Sequence, residues 1–231
     1  MSSSLWGESQ DYYTLIASLP ALAPPYVEER PPLSRYALER RLQMLEKQDR
    51  AELDVLESAM FFDRLPWTLT SQEVIAQFES SLSRVRSPML RQVVRWRLGV
   101  RSMVSALRHR SAGHGAPSKP FGLEPWAALM RRNWNRQDLG LSHSFPWVLQ
   151  LESMIRGGRT RDFERLVLQE VWRRLSEQAF LHPFDFEGVA LYVLRWDLVH
   201  RAALEDEQEA VQRFDELLED CWKGRSLDLG S

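Results

Sequence analysis

Cysteine is almost absent from this chain: 231 residues hold one, Cys221. An internal disulfide and a Cys-based zinc site are therefore excluded, which fits a reducing compartment. Lysine is nearly as scarce, with only Lys47, Lys119 and Lys223. The remaining basic residues are arginines. Their planar fork favours bidentate contacts to carboxylates and phosphates, although coding bias in a GC-rich genome produces the same skew. No stretch approaches ~20 apolar residues, so nothing is expected to span a membrane. No basic residue precedes Arg30 and the early apolar run is brief, so no signal peptide is expected.

Motifs that assemble chemistry are missing too. The chain has no GxxxxGKS/T phosphate loop, no GxGxxG after a strand, no GxSxG and no HExxH. Gly157-Gly158 follows no strand and reads as a turn. His109 and His114 flank a Gly-rich piece without placed carboxylates, a poor metal site. His200 falls on an apolar helix face, where a histidine is more often a core residue than a general base. No nucleophile, base and orienting group come together. The expectation is a non-enzyme with no catalytic residue, cofactor or metal.

What is present is a repeated stretch. Val93-Val94-Arg95-Trp96-Arg97-Leu98-Gly99-Val100-Arg101 returns as Val193-Leu194-Arg195-Trp196-Asp197-Leu198-Val199-His200-Arg201. At about 100° per residue, Met89, Val93, Trp96, Val100, Met103, Val104 and Leu107 share one helix face, and Val189, Val193, Trp196, His200, Ala203 and Leu204 another. Trp96 and Trp196 are expected to anchor the core. Arg97, Arg101 and Arg108 fall on the flank of the first stripe, and Asp197 is spaced to pair with Arg201. A second match, Leu69–Val74 (LTSQEV) with Leu166–Val171 (LVLQEV), precedes each copy in the same order. An internal duplication would give repeated helical lobes; chance in an Arg- and Leu-rich chain is the alternative.

Taken in order, residues 1–11 are Ser-rich and expected to be a disordered tail. Tyr12–Leu22 suits a short strand or buried extended piece, stopped by Pro20. Ser34 caps a helix with Tyr36, Leu38, Leu42 and Leu45 inward, and Asp49 caps the next. Thr70 and Glu73 form a capping box, and Pro88 opens the Arg-rich helix. Residues 113–122, in the Gly/Pro/Ser-rich stretch SAGHGAPSKPFG, are the expected linker between an N-terminal lobe, 12–112, and a C-terminal lobe, 123–224. Short helices then begin near Pro125 and Trp147 around a polar loop, Asn133–Leu141. Thr160 and Asp185 cap the next two helices, Phe184 and Val189 forming a staple, and a last helix starts near Asp206. The fold class is all-α, with one short N-terminal strand allowed for, in two packed helical lobes.

Charge is segregated. The net charge is −2, yet no acidic residue lies between Glu79 and Glu124, where eight arginines fall from Arg84 to Arg110. Residues 205–220 are strongly acidic. Solvated faces, or pairing inside the fold, explain this as readily as partner surfaces of opposite sign.

Tyr12–Pro20 (YYTLIASLP) resembles the opening of an uncharacterised bacterial family encoded beside the subunits of V/A-type ATPases. Trp134, Asn135, Asp138, Leu139, Gly140 and Leu141 resemble its Asn-rich turn. Phe184–Val189 (FDFEGV), Tyr192, Trp196 and Arg201, then Phe214 and Leu217, resemble its last two helices. That family is similar to a shortened C (d) subunit of V/A-type ATPases, a helical funnel between the rotor axle and the membrane ring. Arg97, Arg101 and Leu107-Arg108 are similar to its recurring Arg-bearing helix end. This chain is shorter and denser in arginine than that pattern.

The resemblance implies a non-catalytic coupling or adaptor subunit, cytoplasmic and peripheral to the inner membrane through its partners, the axle and ring subunits. Arg97, Arg101, Arg108 and Arg201 would be its partner-binding residues. Trp96, Trp196, Phe184, Phe186 and Tyr192 would be its structural anchors. The alternatives are an assembly factor for that ATPase and an Arg-rich nucleic-acid-binding protein. The last has no recognition motif in its favour.

Overall fold

The computed structural model describes residues 12–28, 30–60, 72–118 and 121–227, those at 72–74, 77, 81 and 208–227 by backbone alone. The expected tail at 1–11 and Thr70 of the capping box lie outside this description, as do the side chains of Phe214 and Leu217. Among the described residues there are nine helices and no strand. They are α1 (Tyr13–Ala17), α2 (Arg35–Leu42), α3 (Lys47–Met60), α4 (Gln72–Leu82), α5 (Pro88–Ser111), α6 (Trp126–Arg132), α7 (Val148–Arg156), α8 (Thr160–Ala179) and α9 (Phe186–Leu227). The fold is all-α.

Several starts follow from local chemistry. The Ser34 hydroxyl accepts from the Ala37 amide, and Ser87 from the Leu90 amide with Pro88 in the first turn behind it. Asp185 accepts from the Gly188 amide at 2.9 Å and opens α9. Asp49 is different: α3 already starts at Lys47, and the Asp49 carboxylate turns inward to the Tyr12 hydroxyl and the Arg86 guanidinium. Thr160 begins α8 but does not cap it; Arg159 holds that position without a side-chain bond.

Two expected elements take another form. Tyr12–Leu22 is not extended but contains α1, because tertiary bonds fix it and no strand is present among the described residues to pair with it. The Tyr12 amide donates to the Phe184 carbonyl at 2.7 Å, and the Tyr192 hydroxyl donates to the Pro20 carbonyl at 3.0 Å. The last two expected helices are one, α9, of 42 residues. Residues 202–212 (AALEDEQEAVQ) contain no Gly or Pro to stop a helix.

The interior divides into two cores, but not where the linker falls. One core gathers α1 to α4, α5 as far as Leu98, Val171 and Leu175 of α8, and α9 as far as Leu198. The other gathers α5 from Val100 to Leu107, Phe121, α6, buried residues of 134–147, α7, and Phe163 and Val167 of α8. The expected lobes 12–112 and 123–224 each contribute to both cores. The reason is length: α5 and α8, at 24 and 20 residues, run about 36 and 30 Å, too far for one core. Both copies of the repeat also bury in the first core, through Val93, Val94 and Leu98 and through Val193, Leu194, Trp196 and Leu198. They are not equivalent positions of separate lobes. Tyr36, expected inward, is exposed.

The cores meet at Gly99, where α6 crosses α5. A Cβ on Gly99 would run into the six-membered ring of Trp126. Alanine improves helix propensity by about 1 kcal/mol, whereas overpacking a rigid ring costs about 1–3 kcal/mol. Gly99→Ala is therefore expected to lower stability in urea unfolding despite its better propensity. A stabilised variant would show that Trp126 is not seated against this helix.

Candidate interaction surface

The expected partner-binding arginines are mostly inside the fold. Arg97 and Arg101 are 5% and 4% exposed, so they form no solvent flank. From Arg97 to Leu107 every residue of α5 is buried, because α3, α6 and α7 pack around this helix. Arg108 is half-buried, its guanidinium 5.0 Å from the Phe163 ring and 3.6 Å from the Glu164 carboxylate. Arg201 is half-buried, and burial lowers its pKa while the Glu205 charge opposes this. Much of the remaining basic run is engaged internally: Arg86 with Glu52 and Asp49, Arg95 with Glu79, and Arg110 with the carbonyls of Trp134, Arg136 and Gln137. This leaves little of it as a polyanion surface.

The anchors divide. Trp196 is buried, and its indole N–H donates to the Leu33 carbonyl at 2.9 Å. Phe186 and Tyr192 are buried beside it in the same core. Trp96 is half-buried at the joint, packed against both cores. Phe184 is no anchor: it is 45% exposed.

A charged cluster ties α9 to α2 and α3. Arg35 reaches Glu39 at 2.5 Å, Glu57 at 2.6 Å and Asp197 at 3.4 Å, and lies 5.8 Å from the Trp196 ring. Asp197 was expected to pair with Arg201 but turns to Arg35, across the helix interface. Burial first, then the Glu57 carboxylate beside it, pushes the Asp197 carboxyl up to about 7; Arg35 only partly offsets this.

Four exposed apolar side chains fall at or beside the turn joining α8 to α9, while Val27, Tyr36, Met44, Leu149 and Leu204 are exposed elsewhere. Phe180 is 86% exposed, Leu181 65%, and Phe184 packs against the exposed Tyr13 ring, tilted by 37° at 4.6 Å. The backbone beneath is held firmly. Asp185 accepts from Gly188 with one oxygen and faces His182 Nδ1 at 2.7 Å with the other, and the Phe184 carbonyl is taken by Tyr12. Gly188 is required here, because a Cβ would strike the His182 carbonyl. Exposed Glu177 and partly buried Asp185 and Glu187 border the patch. His182, Asp185 and Glu187 bring ligand atoms within 4.8 Å of one another, but both Asp185 oxygens are already used in capping the helix and holding the histidine.

Phe180 and Leu181 escape a periodicity reading because they sit beyond the last full turn of α8. Their signal is the short run Ala179-Phe180-Leu181-His182-Pro183-Phe184, three large apolar residues around a proline with no helical stripe to absorb them.

No family model, no curated protein and no solved structure matches this chain.

Asp197 makes stability depend on pH in a defined direction. Its carboxyl is raised from 3.8 to about 7 on folding, so the folded chain holds that proton more tightly. The stabilisation is complete below about pH 4 and is lost as pH rises through 7. Asp197→Asn is expected to gain about 2 kcal/mol on the native chain between pH 5 and pH 8, read by urea unfolding at both. Parallel pH profiles for the two proteins would overturn the assignment.

Proposed function

We propose that the chain is a non-catalytic coupling or adaptor subunit of a V/A-type ATPase, docking a partner subunit through the α8–α9 tip. The observation that carries this reading is the exposure of Phe180, Leu181, Phe184 and Tyr13 at a turn braced by Asp185 and by the Tyr12 amide. Exposed apolar side chains grouped at one end of a molecule mark interaction sites, and aromatic side chains contribute strongly to binding where they are pre-organised. The resemblance from Tyr12 through the last helices supplies the partner class, the axle and the membrane ring. No helix among the described residues is long and apolar enough to cross a membrane, which agrees with attachment through partners at the cytoplasmic face.

Tip binding replaces the arginine flank in this reading, since Arg97 and Arg101 are buried. An assembly factor would use the same surface transiently. Affinity capture of the tagged protein from its own cells in mild detergent tests this. Stoichiometric recovery of axle and ring subunits is expected from the native chain. Serine at 180, 181 and 184 is expected to cut it at least tenfold while unfolding stays within about 1 kcal/mol, as for other surface changes. Recovery of soluble subunits alone, in low yield, would indicate the assembly factor. Unchanged recovery by the triple variant would exclude the tip.

A further inference from the structure

Helices α4 and α5 both pack against α3, and the link at 83–87 turns the chain from one to the other. Between the end of α4 and the first turns of α5 lies an open cavity of about 370 Å³. Glu79, Leu82 and Ser83 line it from the α4 side, and Pro88, Arg91, Gln92 and Arg95 from the α5 side. The α5 positions follow at intervals that place them on one helix face. The volume falls in the range of small-molecule sites, about 300–1,000 Å³.

The charges in this cavity do not balance. Arg95 is paired with Glu79 at 3.0 Å. Arg91 is half-buried, yet among the described residues it takes part in no ion pair, hydrogen bond or ring contact. No acidic residue follows Glu79 until Glu124, so neither the link nor the rest of α5 can bring a second carboxylate. The Ser83 hydroxyl already donates to the Ser80 carbonyl at 2.7 Å. Gln92, which is exposed, adds amide donors. Leu82 is 4% exposed and, with Pro88, contributes apolar surface. The cavity therefore offers one uncompensated guanidinium, one amide and an apolar wall.

A guanidinium fork takes a carboxylate or a phosphate through two parallel N–H donors. The Glu79 carboxylate lines the same cavity. It neutralises Arg95 and repels a second negative charge on a ligand, which favours a singly charged carboxylate over a phosphate dianion. We infer that the α4–α5 cavity binds a small organic monocarboxylate, its charged end on Arg91 and Gln92 and its apolar body against Pro88 and Leu82. The site does not rest on the docking tip, which belongs to α8 and α9, so either assignment stands if the other fails.

The test uses the full chain at matched ionic strength, with amide NMR resonances followed during titration. Benzoate and butyrate are the probes, and benzamide, uncharged and close to benzoate in shape, is the control. One or both carboxylates are expected to bind saturably with a Kd of about 1 mM or tighter, as ligands of this size allow, and to move resonances of residues 79–95. Benzamide is expected to bind about tenfold more weakly than benzoate, and inorganic phosphate more weakly than the better carboxylate. Arg91→Gln is expected to weaken binding about tenfold with urea unfolding unchanged, since Arg91 has no partner in the fold to lose. Glu79→Gln removes the like charge and frees Arg95, so it is expected to bind about threefold more tightly. Should Arg91→Gln fail to fold, Glu79→Gln still gives a change of defined sign. No saturable shift with either carboxylate, equal binding of benzamide and benzoate, or native affinity in Arg91→Gln would overturn the site. Tighter binding of phosphate than of both carboxylates would overturn the ligand class.

Discussion

From Arg97 to Leu107 helix α5 has no solvent face, and the rest of the molecule is arranged to satisfy that. A helix enclosed on every side is ordinarily apolar all round. This one carries Arg97, Arg101, Ser102 and Ser105 in the enclosed stretch. Ser102 is settled within the helix, donating to the Leu98 carbonyl at 2.9 Å. Arg97 and Arg101 are enclosed with it, 5% and 4% exposed beside the joint between the cores.

Both ends of α5 are held by polar groups from other segments. At its start, Glu52 accepts from the Arg86 and Ser87 amides at 3.0 and 3.3 Å and from Arg86 Nε at 2.7 Å. Those amides would otherwise be unpaired donors at a buried helix entrance. At its end, Arg110 donates to carbonyls of the 134–137 turn, reaching Trp134 at 3.1 Å and Gln137 at 2.8 Å. That turn looks like a polar loop in sequence but is built around Asp138. The Arg136 fork and the Ser142 hydroxyl hold its carboxyl well below the usual carboxylate range, and the Gly140 amide adds to this. Trp134, Leu139 and Leu141 are buried beneath.

Helix content, the Ser34, Pro88 and Asp185 starts and the Gly157-Gly158 stop were legible because each rests on chemistry within one turn of chain. The burial of Arg97 and Arg101 was not. A periodicity argument assigns charged residues outward, and nothing local reports that other segments enclose that side. The placement of the cores was hidden for a related reason: a Gly/Pro-rich stretch marks where a chain is unstructured, not where its core divides. At the tip, Phe184 was read as a staple because its spacing from Val189 allowed it. The Tyr13 ring, 171 positions earlier, is what it meets.

The tip and the interior are mechanically one system. Helix α9 leaves the tip and runs about 63 Å if straight, at 1.5 Å per residue. It is tied to α8 by Arg195, 5.6 Å from the Trp172 ring, and by Arg161 and Arg165 at Asp206. It is tied to α2 and α3 by Asp197 and Arg35. A load on Phe180, Leu181 or Phe184 therefore passes into paired helices held at several levels, not into a loop. Rigid support makes exposed aromatics effective contacts, since little ordering entropy remains to be lost on docking. The exposure of these side chains over so constrained a backbone is the strongest structural argument that this end of the molecule meets another protein.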